Sequence, residues 1–132
     1  MNKLEIEISS EISNIVKVEN FIESFTTFFQ LPADLYGKIS LSVIEAVNNA
    51  ILSGNKRQPE KLVKLTAEKS DTEFKVTVHD EGEGFDFTNI PDPTLPDNIN
   101  KVTGRGLFIM KTLSDELIFE DNGATVTLVF CL

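Results

Sequence analysis

The hydrophobic period of this chain changes at Ser10, and that change limits the fold more than any bulk property does. Before it, Leu4, Ile6 and Ile8 alternate with charged or polar residues, the two-residue period of a strand with one buried face. After it, Ile15, Val18, Ile22, Phe25 and Phe29 recur at steps of three and four. They share one side of a helix that Ser9 or Ser10 would cap and that stops before Pro32. Asp34 opens a second helix, with an apolar stripe of Tyr36, Ile39, Val43, Val47, Ala50 and Ile51, and Gly54 ends it. Strand periodicity returns over residues 62–68 and 73–79, joined by a turn at Ser70-Asp71. Phe74, Val76 and Val78 fall on one face, and the same parity aims Asp80 toward the core.

Residues 90–103 hold Pro91, Pro93 and Pro96 and little periodicity, which predicts a long loop of the kind that is usually functional or disordered. Gly104-Arg105-Gly106 leads into a short helix with Leu107, Met110 and Leu113 on one face. The chain closes with strands over 117–120 and 125–130 around the hairpin signal Asn122-Gly123. The order β-α-α-β-β-loop-α-β-β predicts an α+β two-layer sandwich: a mixed, mainly antiparallel sheet with three helices on one face.

Bulk properties then narrow the role. With 132 residues, 41% of them hydrophobic, the chain supports one core, and residues 1–132 are read as a single domain. Twelve Lys and Arg against 21 Asp and Glu give a net charge of −9, which argues against a direct nucleic-acid role. No stretch resembles a signal peptide or approaches a membrane span, so a cytoplasmic protein is expected. The only cysteine, Cys131, has no disulfide partner and is read as core filling.

Three polar groupings interrupt the apolar pattern. Glu45 and Asn49 lie one turn apart on the second helix, nearly opposite Tyr36, Val43 and Val47, with Leu41 and Leu52 on their side. They form either a polar surface patch or a face presented to a ligand. Asp80-Glu81-Gly82-Glu83-Gly84 follows a strand directly; Gly82 and Gly84 permit close approach of a ligand, and a core-side Asp80 suits an exocyclic amine. A tight turn with acidic decoration reads equally well, since the segment is a poor dinucleotide fingerprint and no P-loop is present. Thr103-Gly104-Arg105-Gly106-Leu107 at a helix N-terminus suits phosphate, with Arg105 as a charged fork, or else forms a hinge and a cap.

Taken together and in this order, EAVNNA, DEGEGFD and GRGLFIMKTLSDEL closely resemble the N, G1 and G2 boxes of the GHKL ATPase superfamily, which groups gyrase, chaperone, histidine kinase and mismatch-repair ATPases. The length and the ending NGATVTLVF look most like its anti-sigma-factor serine/threonine protein kinases. The resemblance implies ATP and Mg²⁺ as cofactors. Asn49 would ligate the metal, Glu45 would act as general base, and Asp80 would read the adenine amine with Gly82 and Gly84 beside the base. Gly104 and Gly106 would close over the phosphates, and residues 87–103 would form an ATP lid. Thr103, Leu107 and the cations Lys101, Arg105, Lys56 and Lys111 would flank the phosphates.

Two positions depart from or qualify the pattern. Ser53 stands where many relatives carry histidine, and Asn48 points partly away from Asn49. His79, on the opposite strand face from Asp80, reads as structural. The implied partners are an antagonist protein of the STAS type, phosphorylated on serine, a sigma factor or other regulator held by sequestration, and a second copy of the chain in a homodimer through the first strand or first helix. The rival reading is a nucleotide-gated binding module without chemistry. A histidine-kinase fragment would need a phosphoacceptor histidine on a helix, whereas His79 falls on a strand.

Overall fold

A computed structural model of the chain describes residues 2–83 and 102–132, and within the latter the side chains from Arg105 onward. Strand β1 spans Lys3–Ser9, and a 3₁₀ turn at Ile12–Asn14 leads into helix α1, Ile15–Phe28. Helix α2, Ala33–Asn49, runs on into a π turn at Ala50–Gly54. Strands β2, Leu62–Lys69, and β3, Glu73–His79, form a hairpin. Helix α3 covers Val102–Leu113, and strands β4, Glu116–Glu120, and β5, Thr125–Cys131, complete the chain. The sheet order is β1-β2-β3-β5-β4. All four pairings are antiparallel, so the parallel component expected of a mixed sheet is absent among the described strands.

One face of the sheet carries the alternating apolar residues read from the sequence. Ile8, Val63, Leu65, Phe74, Val76, Val78, Leu128 and Phe130 are buried there against all three helices. Phe25 of α1 has no exposed surface and packs edge-on to Phe21 and tilted against Phe74, with ring centroids 5.3 and 5.1 Å away. Helix α2 lies between α1 and α3 and touches β3 and β5, so it has little free surface near its C-terminal end. The outer sheet face is polar, with Lys64 bridging Glu5 of the neighbouring strand at 3.1 Å.

Four local expectations change. Neither Ser9 nor Ser10 caps α1: the Ser10 hydroxyl is buried and donates to the Lys61 carbonyl at 2.7 Å, and the first helical residues form a 3₁₀ turn. Tyr36 leaves the buried stripe of α2 and is 37% exposed, because the stripe drifts around the helix toward Ser42, Ala46 and Asn49, which are buried. Cys131 does not fill the core. It is exposed at the end of β5, where Asp115, burial and the carboxylates of Glu73 and Glu116 hold the thiol above its ordinary pKa. Helix α3 begins at Val102, so Gly104 and Gly106 stand inside its first turns rather than before them. No described helix is long and apolar enough to cross a membrane.

Phe25→Ala removes a fully buried ring from the junction of α1 and the sheet and should cost about 3–5 kcal/mol. Val16→Ala on the same helix, 60% exposed, should stay within about 0.5 kcal/mol. Urea denaturation of both variants checks the contrast.

Candidate functional site

Three elements meet at the end of the sheet where β3 finishes and β5 begins. The Asp80 N–H donates to the Ala124 carbonyl at 2.9 Å, extending the β3–β5 ladder by one bond. This fixes the backbone of Asp80, and the strand parity turns its side chain inward, where it is only 6% exposed. The neighbouring space is a small apolar cavity of about 20 Å³, lined by Ala46, Asn49, Ala50, Gly54, Val78, Leu107, Met110 and Phe119 together with Asp80. Desolvation by burial pushes the Asp80 carboxyl above its ordinary value; the hydrogen bond from Gly82 N–H, at 2.8 Å to Oδ1, works weakly against it, as do the charges of His79 and Lys61.

The glycines around Asp80 act through space rather than through backbone freedom. A methyl on Gly54 would stand 2.5 Å from the Asp80 Cγ and 2.7 Å from Oδ1, inside contact distance. A methyl on Gly82 would run into the Gly54 carbonyl and lie 2.9 Å from Asp80 Oδ1. The end of α2 and residues 80–82 therefore touch backbone to backbone with the carboxylate held between them. The π turn at Ala50–Gly54 brings Gly54 to that point, a distortion of the kind often found at functional sites.

Asn49 supplies the second polar group. Its side chain is buried, and neither Oδ1 nor Nδ2 has a hydrogen-bond partner. Leaving a buried amide unpaired costs about 1–3 kcal/mol per group, so its retention points to a ligand. The surface-patch alternative for this face therefore fails for Asn49. Glu45, one turn earlier, is half-buried. Gly106 of α3 packs over both: a methyl there would sit 3.1 Å from Glu45 Oε2 and from Asn49 Nδ2, and 3.3 Å from Asn49 Oδ1. Gly106 is thus a spacer that lets α3 approach α2, not a hinge. An unpaired carboxamide oxygen beside a carboxylate is a donor set that fits a hard cation such as Mg²⁺.

The remaining expected residues divide into three groups. Leu107 is buried and lines the pocket, and Arg105 is exposed one residue before Gly106. Lys56 is exposed in a left-handed turn after the π segment, and Lys111 lies in the last turn of α3, away from the end that would face phosphate. Gly84, Lys101 and residues 87–101 of the expected lid fall outside the described residues; the backbones of Val102, Thr103 and Gly104 form the first turn of α3, so the last two lid positions belong to that helix.

His79 is structural in a specific sense. The Thr125 hydroxyl donates to Asp121 Oδ2 at 2.7 Å, so the 2.6 Å contact from His79 Nδ1 to Thr125 Oγ1 requires the proton on Nδ1. The pair pins the turn at Asp121–Gly123, where three successive residues have φ of 53°, 58° and 96° and whose Gly123 lines the pocket.

A family model described as the histidine kinase-like ATPase domain matches residues 8–130. The chain belongs to that family. Membership implies ATP binding. The chain is 30% identical over 97 residues to a serine-protein kinase RsbW of Staphylococcus epidermidis, a match covering 67% of this chain and 61% of that protein. It is 29% identical over 133 residues to an anti-sigma F factor of Geobacillus stearothermophilus, covering 96% of this chain and 90% of that protein, and 29% identical over 119 residues to one of Shouchella clausii. The chain thus spans less than two thirds of the RsbW relative and nearly all of the anti-sigma F factor.

Sequence reasoning missed Gly54, Asn55, Ser10 and Glu81. Gly54 reads as an ordinary helix stop and Glu81 as surface decoration, and only their spatial neighbours give them a role. Because the folded-state pKa of Asp80 is raised, its contribution to stability is present below the ordinary carboxylate range and is lost as pH rises through the folded value. In nucleotide-free protein, Asp80→Asn should therefore raise the urea midpoint at pH 7, with the advantage shrinking as the pH falls toward 3.8. Gly54→Ala should displace the Asp80 carboxylate and weaken ATP binding at least about tenfold, read by calorimetric titration.

Proposed function

We propose that this chain is an ATP-dependent serine kinase of the anti-sigma-factor type, which phosphorylates a small antagonist protein of the STAS class and sequesters a sigma factor or another regulator. The observation that carries the reading is the buried, unpartnered Asn49 amide beside Glu45, at the mouth of an apolar pocket with a buried Asp80. The names of its relatives, a serine-protein kinase and anti-sigma F factors, support the same class.

In this reading the adenine parts the walls of the apolar cavity as it enters, and its exocyclic amine donates to a carboxyl oxygen of Asp80. The walls of Ala46, Ala50, Leu107 and Met110 exclude water from the base. Asn49 would hold Mg²⁺ through its side-chain oxygen, and the ion would supply charge neutralisation at the phosphates. Glu45 accepts the proton of the attacking serine hydroxyl as its oxygen bonds to the γ-phosphorus. The bond from that phosphorus to the bridging oxygen breaks, and ADP leaves. Arg105 stands exposed at the start of α3, free to meet the phosphates or the acidic surface of an incoming substrate.

Incubation with Mg-ATP and antagonist proteins should place phosphate on a serine. Glu45→Gln should lower transfer at least about 100-fold with nucleotide affinity within about threefold of the parent, whereas Asn49→Ala should abolish the metal-dependent part of binding. Partner capture that needs ATP and Asn49 but ignores Glu45→Gln would instead establish a nucleotide-gated binding module. Sedimentation with and without nucleotide tests the homodimer.

A further inference from the structure

Asn55 sits one residue beyond the π turn, has no exposed surface, and makes hydrogen bonds to three other segments of the chain. Its Nδ2 donates to Ser10 Oγ at 2.8 Å and to the Leu62 carbonyl at 3.0 Å. Its Oδ1 accepts from the Glu81 N–H at 2.8 Å. The Ser10 hydroxyl in turn donates to the Lys61 carbonyl, and the Leu62 N–H donates to the Glu81 carboxylate. Every polar atom of the amide is used, and its two ends are distinguished, since only the oxygen can accept from Glu81.

The placement of these bonds matters more than their number. Gly54, immediately before Asn55, and Gly82, immediately after Glu81, are the two backbones that touch around the Asp80 carboxylate. One side chain therefore ties together the residues flanking both walls of the Asp80 seat. Without it, residues 80–82 keep two hydrogen bonds to the rest of the domain, from the Asp80 N–H to the Ala124 carbonyl and from the Leu62 N–H to the Glu81 carboxylate, and neither fixes the Glu81 backbone.

We propose that Asn55 is a positioning residue for base recognition: it clamps residues 80–82 against the end of α2 so that Asp80 meets the amine of the base in a fixed geometry. This rests on the reading of Asp80 as the group that selects adenine. A fixed acceptor discriminates between a base bearing an amine and one bearing a carbonyl, whereas a mobile carboxylate turns aside and tolerates both.

The test compares ATP with inosine triphosphate, which carries a carbonyl where adenine carries its amine. Affinities are measured by calorimetry on the parent, Asn55→Ala, Ser10→Ala and Asp80→Asn, with thermal unfolding alongside. The parent should prefer ATP, and Asn55→Ala should reduce the ratio of the two affinities about tenfold, the loss of one oriented hydrogen bond. Ser10→Ala, which removes one of the two acceptors that orient the amide, should reduce the ratio by a smaller factor and keeps the test open if Asn55→Ala does not fold. In the nucleotide-free parent, hydrogen exchange at the Glu81 amide should be slow, because the clamp exists before the base arrives.

A lower melting temperature with an unchanged affinity ratio in both variants would overturn the clamp, as would a Glu81 amide that exchanges as fast as an open loop. If Asp80→Asn collapses the ratio in that same experiment, the base reading survives and only the role of Asn55 falls. A parent that binds both nucleotides equally overturns the base reading and the clamp together.

Discussion

A carboxylate closed between two backbones sets the terms for this fold. Asp80 is drawn inward by strand parity, loses most of its water, and is offset by one N–H, that of Gly82. That arrangement destabilises the charged form, which is why its pKa rises. It survives because the surroundings leave it no other place. The β3–β5 ladder fixes its main chain, Gly54 leaves room only for the carboxylate, and Asn55 closes the far side. The π turn of α2 follows from the same requirement, since Gly54 must come within contact of residues 80–82.

Asn49, which lines the same cavity, adds an amide with no hydrogen-bond partner, so the domain holds two polar side chains in places where an apolar residue would fold better. Natural proteins break local packing rules mostly where function asks for it. Here the cost is carried by a core that lies elsewhere, on the sheet beneath α1 and α2, with Phe25, Phe74 and Phe130 fully buried. The aromatic packing lies toward one end of the sheet, and Asn49 and Asp80 lie at the other. The apolar periodicity of the sequence is interrupted at positions 45, 49 and 80.

Those interruptions marked a candidate site without deciding it. Glu45 and Asn49 lie nearly opposite the apolar stripe of α2, where a surface patch reads equally well, and Asp80 falls on the core side of its strand; only the three segments taken together single them out. Element order was legible from the period alone. What stayed hidden depends on distance along the chain. Ser10 and Asn55 are 45 residues apart and Asn55 and Glu81 are 26 apart, and no local period links them. The start of α3 was hidden by propensity: two glycines in three residues argue for a break, yet packing against α2 overrides the roughly 1 kcal/mol that each glycine costs in a helix. Tyr36 was misplaced because a straight stripe was drawn along a helix whose buried face drifts with length.

The spacer role of Gly106 has a mechanical consequence for α3. Because its backbone lies over both Glu45 and Asn49, any group that takes up the free Asn49 oxygen enters beside that helix and shares space with it. Leu107 and Met110, on the adjoining face of α3, line the apolar pocket, so the base and the phosphate ends of a nucleotide would bear on one and the same helix. Occupancy therefore biases the position of α3 only to the extent that its contacts differ between the empty and filled states. Its outer side carries Arg105 and the 43% exposed Phe108, a charged and an aromatic residue of the kind that partners engage. The same helix thus lines the cavity on one side and meets solvent on the other, so under the proposed nucleotide reading a shift imposed from inside would be displayed at the surface without any intervening element.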